Sequence, residues 1–429
     1  MRATQSTLVG EGSDLDWSSK PASSLEEELR NFRAFGTPTT VTSTAIETIS
    51  GMRVEVDTFV NEFWTSKQRD ASSLHEISYR ACFKPQLPRF FIERLTRPGD
   101  VVYDPFMGRG TTLVEAALLG RIPVGCDANP LSKVLVGPRL RPPTFNQVAA
   151  RLHEIRLEPA TDVPEELHVF YHPRTLSDLC ALRDYFLDRE RRGEIDDIDR
   201  WIRMVTVNRL TGHSRGFLSV YTLPPNQAVS VEAQRKINAD RNQTPEERDV
   251  RAVILAKTRS LLADCSNLTR RRLAAVSKDA LLLTKSSDST PEIASSSVGL
   301  VVTSPPFLNV VDYAADNWLR CWFCGIDPKS VSLTVPRKLE TWQSAMTATF
   351  GEMSRLLRTG GHIAFEVGEV RGGRLPLEKT VVRCGLDAGL VPRLVLINDQ
   401  EFTKTSNLWG IRNSVKGTNT NRVTLFRKG

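Results

Sequence analysis

The chain has 429 residues, 25% charged and 40% apolar, the make-up of a globular protein with one large core plus an insertion, or two to three domains. No stretch approaches the roughly 18–20 uninterrupted apolar residues of a membrane span, and the opening MRATQSTLVGEGSDLDWSSK has no apolar signal core, so membrane and secreted classes are set aside. A net charge of +7 leans toward an anionic partner such as nucleic acid, and seven scattered cysteines fit reduced thiols in a cytoplasm.

Residues 1–50, rich in Ser, Thr, Gly and Glu, read as a flexible arm with one helix around Ser24–Phe35, where Leu25, Leu29 and Phe32 keep helical spacing. From 51 to 150 helix and strand alternate. An amphipathic helix is predicted at Pro88–Leu95, a strand at Asp100–Tyr103, a helix at Thr112–Leu119 and a strand at Ile122–Cys126. Strand, glycine turn, helix, strand is a βαβ unit, which predicts a parallel sheet covered by helices.

Residues 151–270 read as a mostly helical insertion. Leu176, Leu179, Leu182, Tyr185 and Phe186 share one helical face; Ile198, Trp201, Ile202 and Val205 share another that stops near Gly212; Val250–Ala263 makes a third helix. Between the last two lies Gly212–Thr244, rich in Arg, Asn, Gln and Pro. The alternation resumes over 271–429, with strands predicted at Leu273–Val276, Gly299–Thr303, His362–Val367, Arg393–Asn398 and, after a polar turn at Gly417–Asn421, Arg422–Phe426. The expected fold class is α/β: a Rossmann-like, doubly wound sheet from 51–150 and 271–429, interrupted by the helical insertion.

The first chemical signal follows the strand at Asp100–Tyr103. The chain passes Asp104, then Gly108-Arg109-Gly110, and opens a helix with Thr111 and Thr112. Glycines let the backbone approach a ligand, and the helix N-terminus presents unpaired N–H groups. Asp127 ends the next strand, where it could accept hydrogen bonds from ribose hydroxyls. A dinucleotide-binding turn is the rival, but that pattern wants a small third residue where this chain has Leu113. Asp104 also suits a cationic cofactor better than a pyrophosphate, and S-adenosylmethionine carries a sulfonium and an ammonium group. On these residues alone a purely structural turn stays open.

The second signal is Ser304-Pro305-Pro306-Phe307, directly after the β-branched run GLVVT. Two prolines stiffen the backbone and remove two N–H donors, leaving a rigid, acceptor-rich corner at the carboxyl end of a parallel strand. Such a corner suits an amino group: the Ser304 hydroxyl and Pro305 carbonyl accept its protons while Phe307 stacks on the base. A similar run, FLSVYTLPPN at 217–226, has Leu223 and Asn226 in the places of the serine and the phenyl ring, and fits this chemistry poorly.

Together the two motifs resemble the amino-methyltransferases of DNA, over about Tyr79–Pro130 and Arg271–Gly429. The resemblance implies a Rossmann-like methyltransferase sheet that binds S-adenosylmethionine. In that family the segment matching Asp104 to Thr112, with Phe106, Gly108, Gly110, Thr111 and Thr112, cradles the methionine part. Asp127 matches the ribose-holding acid, Asp279 the residue near the adenine amino group, and Lys84 and Pro85 in YRACFKPQLP the methionine end. Serine at the head of the tetrapeptide is typical of cytosine N4 enzymes, while Asp or Asn is typical of adenine N6 enzymes, so Ser304 points to cytosine N4. Cytosine C5 chemistry needs a cysteine nucleophile, usually after a proline, and no cysteine here follows one. Many relatives place catalysis before the cofactor motif; here the order is reversed.

Target recognition is therefore read from the residues. Arg209, His213, Arg215, Tyr221, Asn226 and Gln227 in the insertion mix phosphate-binding, base-reading and stacking groups, with Arg235, Lys236, Arg241 and Arg248 extending the basic character. A solvated helical cap is the bland alternative. Asn317, Trp318 and Trp322 read as a helix packed on the sheet, and Asp312 and Tyr313 lie close enough to touch a flipped base. Cys321 and Cys324 lack a second pair with zinc spacing, so no metal is expected. The expected partner is double-stranded DNA, in a cytoplasmic protein, without membrane contact; a restriction nuclease partner fits that reading, and oligomeric state is open. RNA amino-methylation and non-catalytic DNA binding are the competing functions.

Overall fold

Apolar, β-branched runs form the middle of a mixed sheet. The computed structural model describes residues 24–47, 53–65, 71–80, 82–159, 162–223, 227–306, 313–327, 338–368, 377–399 and 420–429. Among these are nine strands: β1 (Thr40–Glu47), β2 (Arg53–Asn61), β3 (Val101–Asp104), β4 (Ile122–Asp127), β5 (Leu281–Thr284), β6 (Val298–Thr303), β7 (Leu357–Val367), β8 (Val391–Asp399) and β9 (Thr420–Arg427). They lie in the order β1-β2-β8-β9-β7-β6-β3-β4-β5. Strands β7, β6, β3, β4 and β5 are mutually parallel, and β9 runs antiparallel between β7 and β8. This is the doubly wound α/β architecture expected.

Successive side chains on the central strands go to opposite faces. Tyr103, Val301, Ile363 and Phe365 pack under the helices Leu339–Leu356 and Leu377–Asp387. Val102, Leu300, Val302 and Ala364 pack under the helix Gln86–Leu95. With both faces covered, ligand access is left at the rim. The chain winds outward from β3 through β4 to β5, then returns to lay β6 and β7 on the other side of β3. The switch point lies between β3 and β6, the place where open α/β sheets bind ligands.

The insertion is helical as expected: Pro173–Arg191, Asp197–Arg209, Val231–Asp240, Val250–Leu261 and Asn267–Val276. Asp196 forms a capping box with Asp199, and Ser230, Asp249 and Ser266 cap the next three helices. One apolar cluster runs from Leu113 and Leu135 beside the sheet to Leu176, Phe186, Trp201 and Ile202, so the insertion shares its core with the βα half.

Four expectations change. The flexible arm assigned to 1–50 has its expected helix, at Leu25–Arg30, but also carries strand β1, which pairs along its whole length with β2. Its Thr and Ser content masks the β-branched alternation of TVTSTAIE. Leu273–Val276 is the last turn of a helix capped by Ser266, and the strand comes later, at β5. The helix Tyr313–Cys324 packs on the insertion rather than the sheet: Trp318 meets Phe170 edge-on, and its indole N–H donates to the Val229 carbonyl at 3.0 Å. Of the Gly417–Asn421 turn, residues 417–419 lie outside the described residues, and Thr420 and Asn421 belong to β9.

Asn398 stitches the segment after β2 to β8. Its Oδ1 accepts from the Phe63 and Trp64 N–H groups at 2.6 and 3.1 Å, and its Nδ2 donates to the Trp64 carbonyl at 3.1 Å, all in a buried site. Asn398→Ala should therefore lower stability by roughly 2–4 kcal/mol, because buried donors lose their acceptor. Urea denaturation measures this, and a loss under about 1 kcal/mol would mean that water reaches those groups.

Candidate active site

The glycine turn is built by backbone conformation and two carboxylates. Gly108 and Gly110 take φ of +46° and +75°, in the left-handed region, and Gly110 caps the helix Thr111–Leu118. Asp127, at the end of β4, accepts from Gly108 N–H and Asn129 N–H, each at 2.8 Å, so it holds the turn to the neighbouring strand. Burial pushes the Asp127 carboxyl up, against those two hydrogen bonds.

Asp104 is 2% exposed and accepts from the Thr303 hydroxyl at 2.6 Å and the Phe106 N–H at 3.1 Å. Burial outweighs these bonds, with the Asp127 charge adding to it, and pushes its carboxyl up to about 7. No Lys or Arg pairs with it among the described residues. A carboxylate at the switch point whose charge the chain leaves unbalanced is suited to a cationic ligand.

The space beneath the glycines is filled by protein. A Cβ on Gly110 would stand 2.4 Å from Val136 Cγ2, and one on Gly125 of β4 would stand 2.4 Å from Leu113 Cδ1. Leu113 occupies the place of the third small residue of a dinucleotide turn. Here Gly125 supplies the space instead, so helix and strand still pack closely.

The proline corner stands next to this turn. Strand β6 pairs with β3, Tyr103 opposite Val301, and its last residue, Thr303, bonds to Asp104. Ser304 is half-buried, Pro305 buried and Pro306 half-buried. The Thr112 hydroxyl donates to the Val302 carbonyl at 3.0 Å, fastening the helix Thr111–Leu118 to the same strand. Ser304 thus sits at the rim beside Asp104. Beside it is the buried Glu366 of β7, whose carboxyl burial pushes up against the Ser304 hydroxyl and the Asn421 amide, which donates to it at 3.1 Å. Phe307 lies outside the described residues.

Several residues that sequence reasoning passed over hold this site. Arg109, between the two glycines, donates to the Thr111 hydroxyl at 3.1 Å and to the Ile77 carbonyl at 2.8 Å, pinning the upstream segment to the turn. Arg139 is fully buried and spends its donors on the Leu74, Arg109 and Leu135 carbonyls; burial pushes its guanidinium down to about 9. Glu115 sits between His75 Nε2 at 2.8 Å and Arg89 Nε at 2.5 Å. Burial would raise the Glu115 carboxyl, but these partners hold it below its ordinary value, while burial lowers His75. Only the position of Arg109 inside the motif gave a signal; isolated buried charges carry no periodicity.

The remaining predicted residues divide. Pro85 is buried at the start of Gln86–Leu95, and Lys84 is exposed just before it. Asp279 is a correction. It is exposed and lies two residues before β5, at the end where the parallel strands begin, on the opposite rim from Asp104 and Asp127. Arg209 stacks on the Phe217 ring at 4.0 Å and bonds to Asn208, and burial lowers it to about 10. It is part of the insertion's packing, as are Phe217 and Leu218. His213 is half-buried near Phe217, whereas Arg215 is exposed. Tyr221 carries the Arg241 guanidinium over its ring at 3.7 Å, and Gln227 accepts from Arg80 at 3.2 Å. Asn226, Asp312 and the Tyr313 side chain lie outside the described residues. Cys321 and Cys324 are buried in the helix Tyr313–Cys324, and burial pushes the Cys321 thiol up to about 12.

Gly110→Ala should destabilise the protein by about 1–3 kcal/mol, from the left-handed backbone and the collision with Val136. Adding Val136→Ala should restore part of that loss in thermal denaturation. Absence of any recovery would assign the whole cost to the backbone.

Comparison with known proteins bears on this site. Residues 27–133 match the family model for N6/N4 methyltransferases described as DNA methylase. A type II methyltransferase of Geobacillus stearothermophilus, M.BsoBI, is 22% identical over 348 residues, covering 73% of this chain and 67% of that protein. A second, M1.MboII of Moraxella bovis, is 40% identical over 73 residues, 16% of this chain and 28% of its own length. A tRNA (guanine(10)-N2)-dimethyltransferase of Methanocaldococcus jannaschii is 36% identical over 61 residues, 14% of this chain and 17% of that one. The chain thus spans two thirds of the first relative and under a third of the other two. The family match spans the glycine turn with Asp104 and Asp127, so over that segment the chain is similar to the N6/N4 DNA methylases, and over a longer stretch to a type II methyltransferase.

Proposed function

We propose that this protein transfers a methyl group from S-adenosylmethionine to the exocyclic amino group of a base flipped out of duplex DNA, with cytosine N4 the favoured target. The observation that carries the reading is the 2.6 Å bond from Thr303 to Asp104, which sets an acceptor-rich proline corner beside a cofactor turn.

The residues fit the cofactor. Asp104 offers an uncompensated carboxylate, Gly108 and Gly110 open the turn, the helix at Thr111 presents unpaired N–H groups, and Asp127 keeps lone pairs beyond its two backbone bonds. Phe106, Thr111, Thr112, Lys84 and Pro85 complete the set by family resemblance. S-adenosylmethionine, when bound, supplies an electrophilic methyl on a sulfonium.

At the corner, the Pro305 carbonyl and the Ser304 oxygen accept the two amino protons of the target base. A Ser304 hydroxyl that turns its own proton toward Glu366 keeps its lone pairs facing that amino group. Accepting both protons draws the nitrogen lone pair out of conjugation with the ring, so it becomes available for methylation. Rigid acceptors do this with little reorganisation. Pro306 stiffens the corner and Phe307 stacks on the base in this reading.

The insertion is the proposed DNA-reading surface. Its exposed cations Arg215, Arg235 and Lys236, with the Tyr221–Arg241 stack, favour phosphate and base contact. The family model described as DNA methylase supports DNA as substrate, and a companion restriction nuclease is part of the proposal; the tRNA-modifying relative keeps RNA as the competing substrate. The serine at the head of the tetrapeptide favours cytosine N4 over adenine N6 by resemblance. No described helix is long and apolar enough to cross a membrane; a cytoplasmic setting is part of the proposal.

Mass spectrometry of nucleosides from DNA or RNA treated with the protein and labelled cofactor should find N4-methylcytosine in DNA; N6-methyladenine would revise the base, and label only in RNA would overturn the substrate. Ser304→Ala should lose about 100-fold or more in turnover with cofactor affinity unchanged. Unaltered turnover would remove Ser304 from the mechanism.

Asp104 gives a pH prediction. Its carboxyl is raised to about 7, so protonation as pH falls below that value removes the charge that pairs with a cationic cofactor. Calorimetry should show affinity level above pH 8 and falling by about tenfold per unit below 7. Asp104→Asn should flatten the profile at the weak-binding level. A flat profile in the unaltered protein would contradict the pairing.

A further inference from the structure

We infer that Trp342 is a positioning residue for the proline corner, acting through the Pro306 carbonyl; this rests on the reading of Ser304-Pro305-Pro306 as the amino-group site. Consecutive prolines have no N–H, so a corner made of them cannot be fastened by its own backbone donors. It has to be gripped through its carbonyls and flanking side chains.

Trp342, near the start of the helix Leu339–Leu356, is fully buried, and its indole N–H donates to the Pro306 carbonyl at 3.1 Å. The ring belongs to the same buried apolar cluster as Met346, Phe350, Leu377 and Val381, where a phenyl ring would keep the apolar character while leaving part of the volume unfilled. What indole adds there is one donor, and that donor meets the corner. At the other end Ser304 faces Glu366, itself held by Asn421 of β9.

The corner is thus held from both sides, by a helix on one face and two strands at the rim. Pro305, between the two grips, keeps its carbonyl without a hydrogen bond among the described residues. Fixing the Pro306 carbonyl, with the ring holding φ of Pro306, constrains the direction of the Pro305 carbonyl. Trp342 makes no described hydrogen bond to the glycine turn, so its loss should loosen catalysis and spare cofactor binding.

The test compares Trp342→Phe with Phe350→Leu, which thins the same apolar cluster without touching the corner, in the full-length protein. Trp342→Phe should lower kcat by about tenfold or more, with cofactor affinity and KM for DNA within about twofold of the parent. Phe350→Leu should keep kcat even if its melting temperature falls as far. Should Trp342→Phe not fold, a benzothienylalanine at 342, which keeps the ring shape and replaces N–H by sulfur, reads the same quantity. Unchanged kcat in the donor-less protein, or an equal loss in Phe350→Leu, would overturn the inference. If that occurs while Ser304→Ala is inactive, only the role of Trp342 falls; an active Ser304→Ala would instead remove the amino-group site itself.

Discussion

A sheet covered by helices on both faces can be functional only along its rim, and here two side-chain bonds decide what that rim looks like. Thr303 of β6 donates to Asp104 of β3, and Thr112 of the adjoining helix donates to the Val302 carbonyl. Both cross the switch point between β3 and β6. They join segments about 200 residues apart in sequence, one with the glycine turn and one with the proline corner, across neighbouring strands roughly 5 Å apart. The helical insertion occupies the chain between them, so its size does not disturb their alignment.

Charge placement separates scaffold from site. Asp199, buried in the insertion, meets Arg151 and Arg189, and Glu115 meets His75 and Arg89. These carboxylates are matched inside the fold, as burial of charge demands. Asp104 is buried as deeply and receives hydroxyl and amide donors but, among the described residues, no cation. The protein tolerates this by letting the carboxyl bind a proton near neutrality. Deprotonation of Asp104 therefore works against the empty fold, and a positively charged occupant relieves that cost.

Much of the sheet half was legible because backbone chemistry writes itself into sequence. Left-handed glycines, a strand ending in a carboxylate and a proline pair after a β-branched run each name a conformation as well as a residue. The helices of the insertion were legible from the spacing of Leu176, Phe186, Trp201 and Ile202. Strand β1 was hidden because threonine is polar by composition yet β-branched in shape. Asp279 was misplaced because LAAV in Leu273–Val276 is equally apolar as helix or strand, and only the Ser266 cap tells them apart. Charges that fasten one loop to another, such as Arg109 and Arg139, follow no period and become visible only in three dimensions.

The contact between Leu113 and Gly125 has a consequence for how such sites diverge. Close approach of helix and strand needs one small residue at the crossing, and the requirement belongs to the pair rather than to either member. A lineage can move the glycine from helix to strand while the turn above keeps its shape. Pattern searches that demand a third glycine on the helix would pass over every descendant that made the exchange, although their ligand-facing backbones could be superimposed.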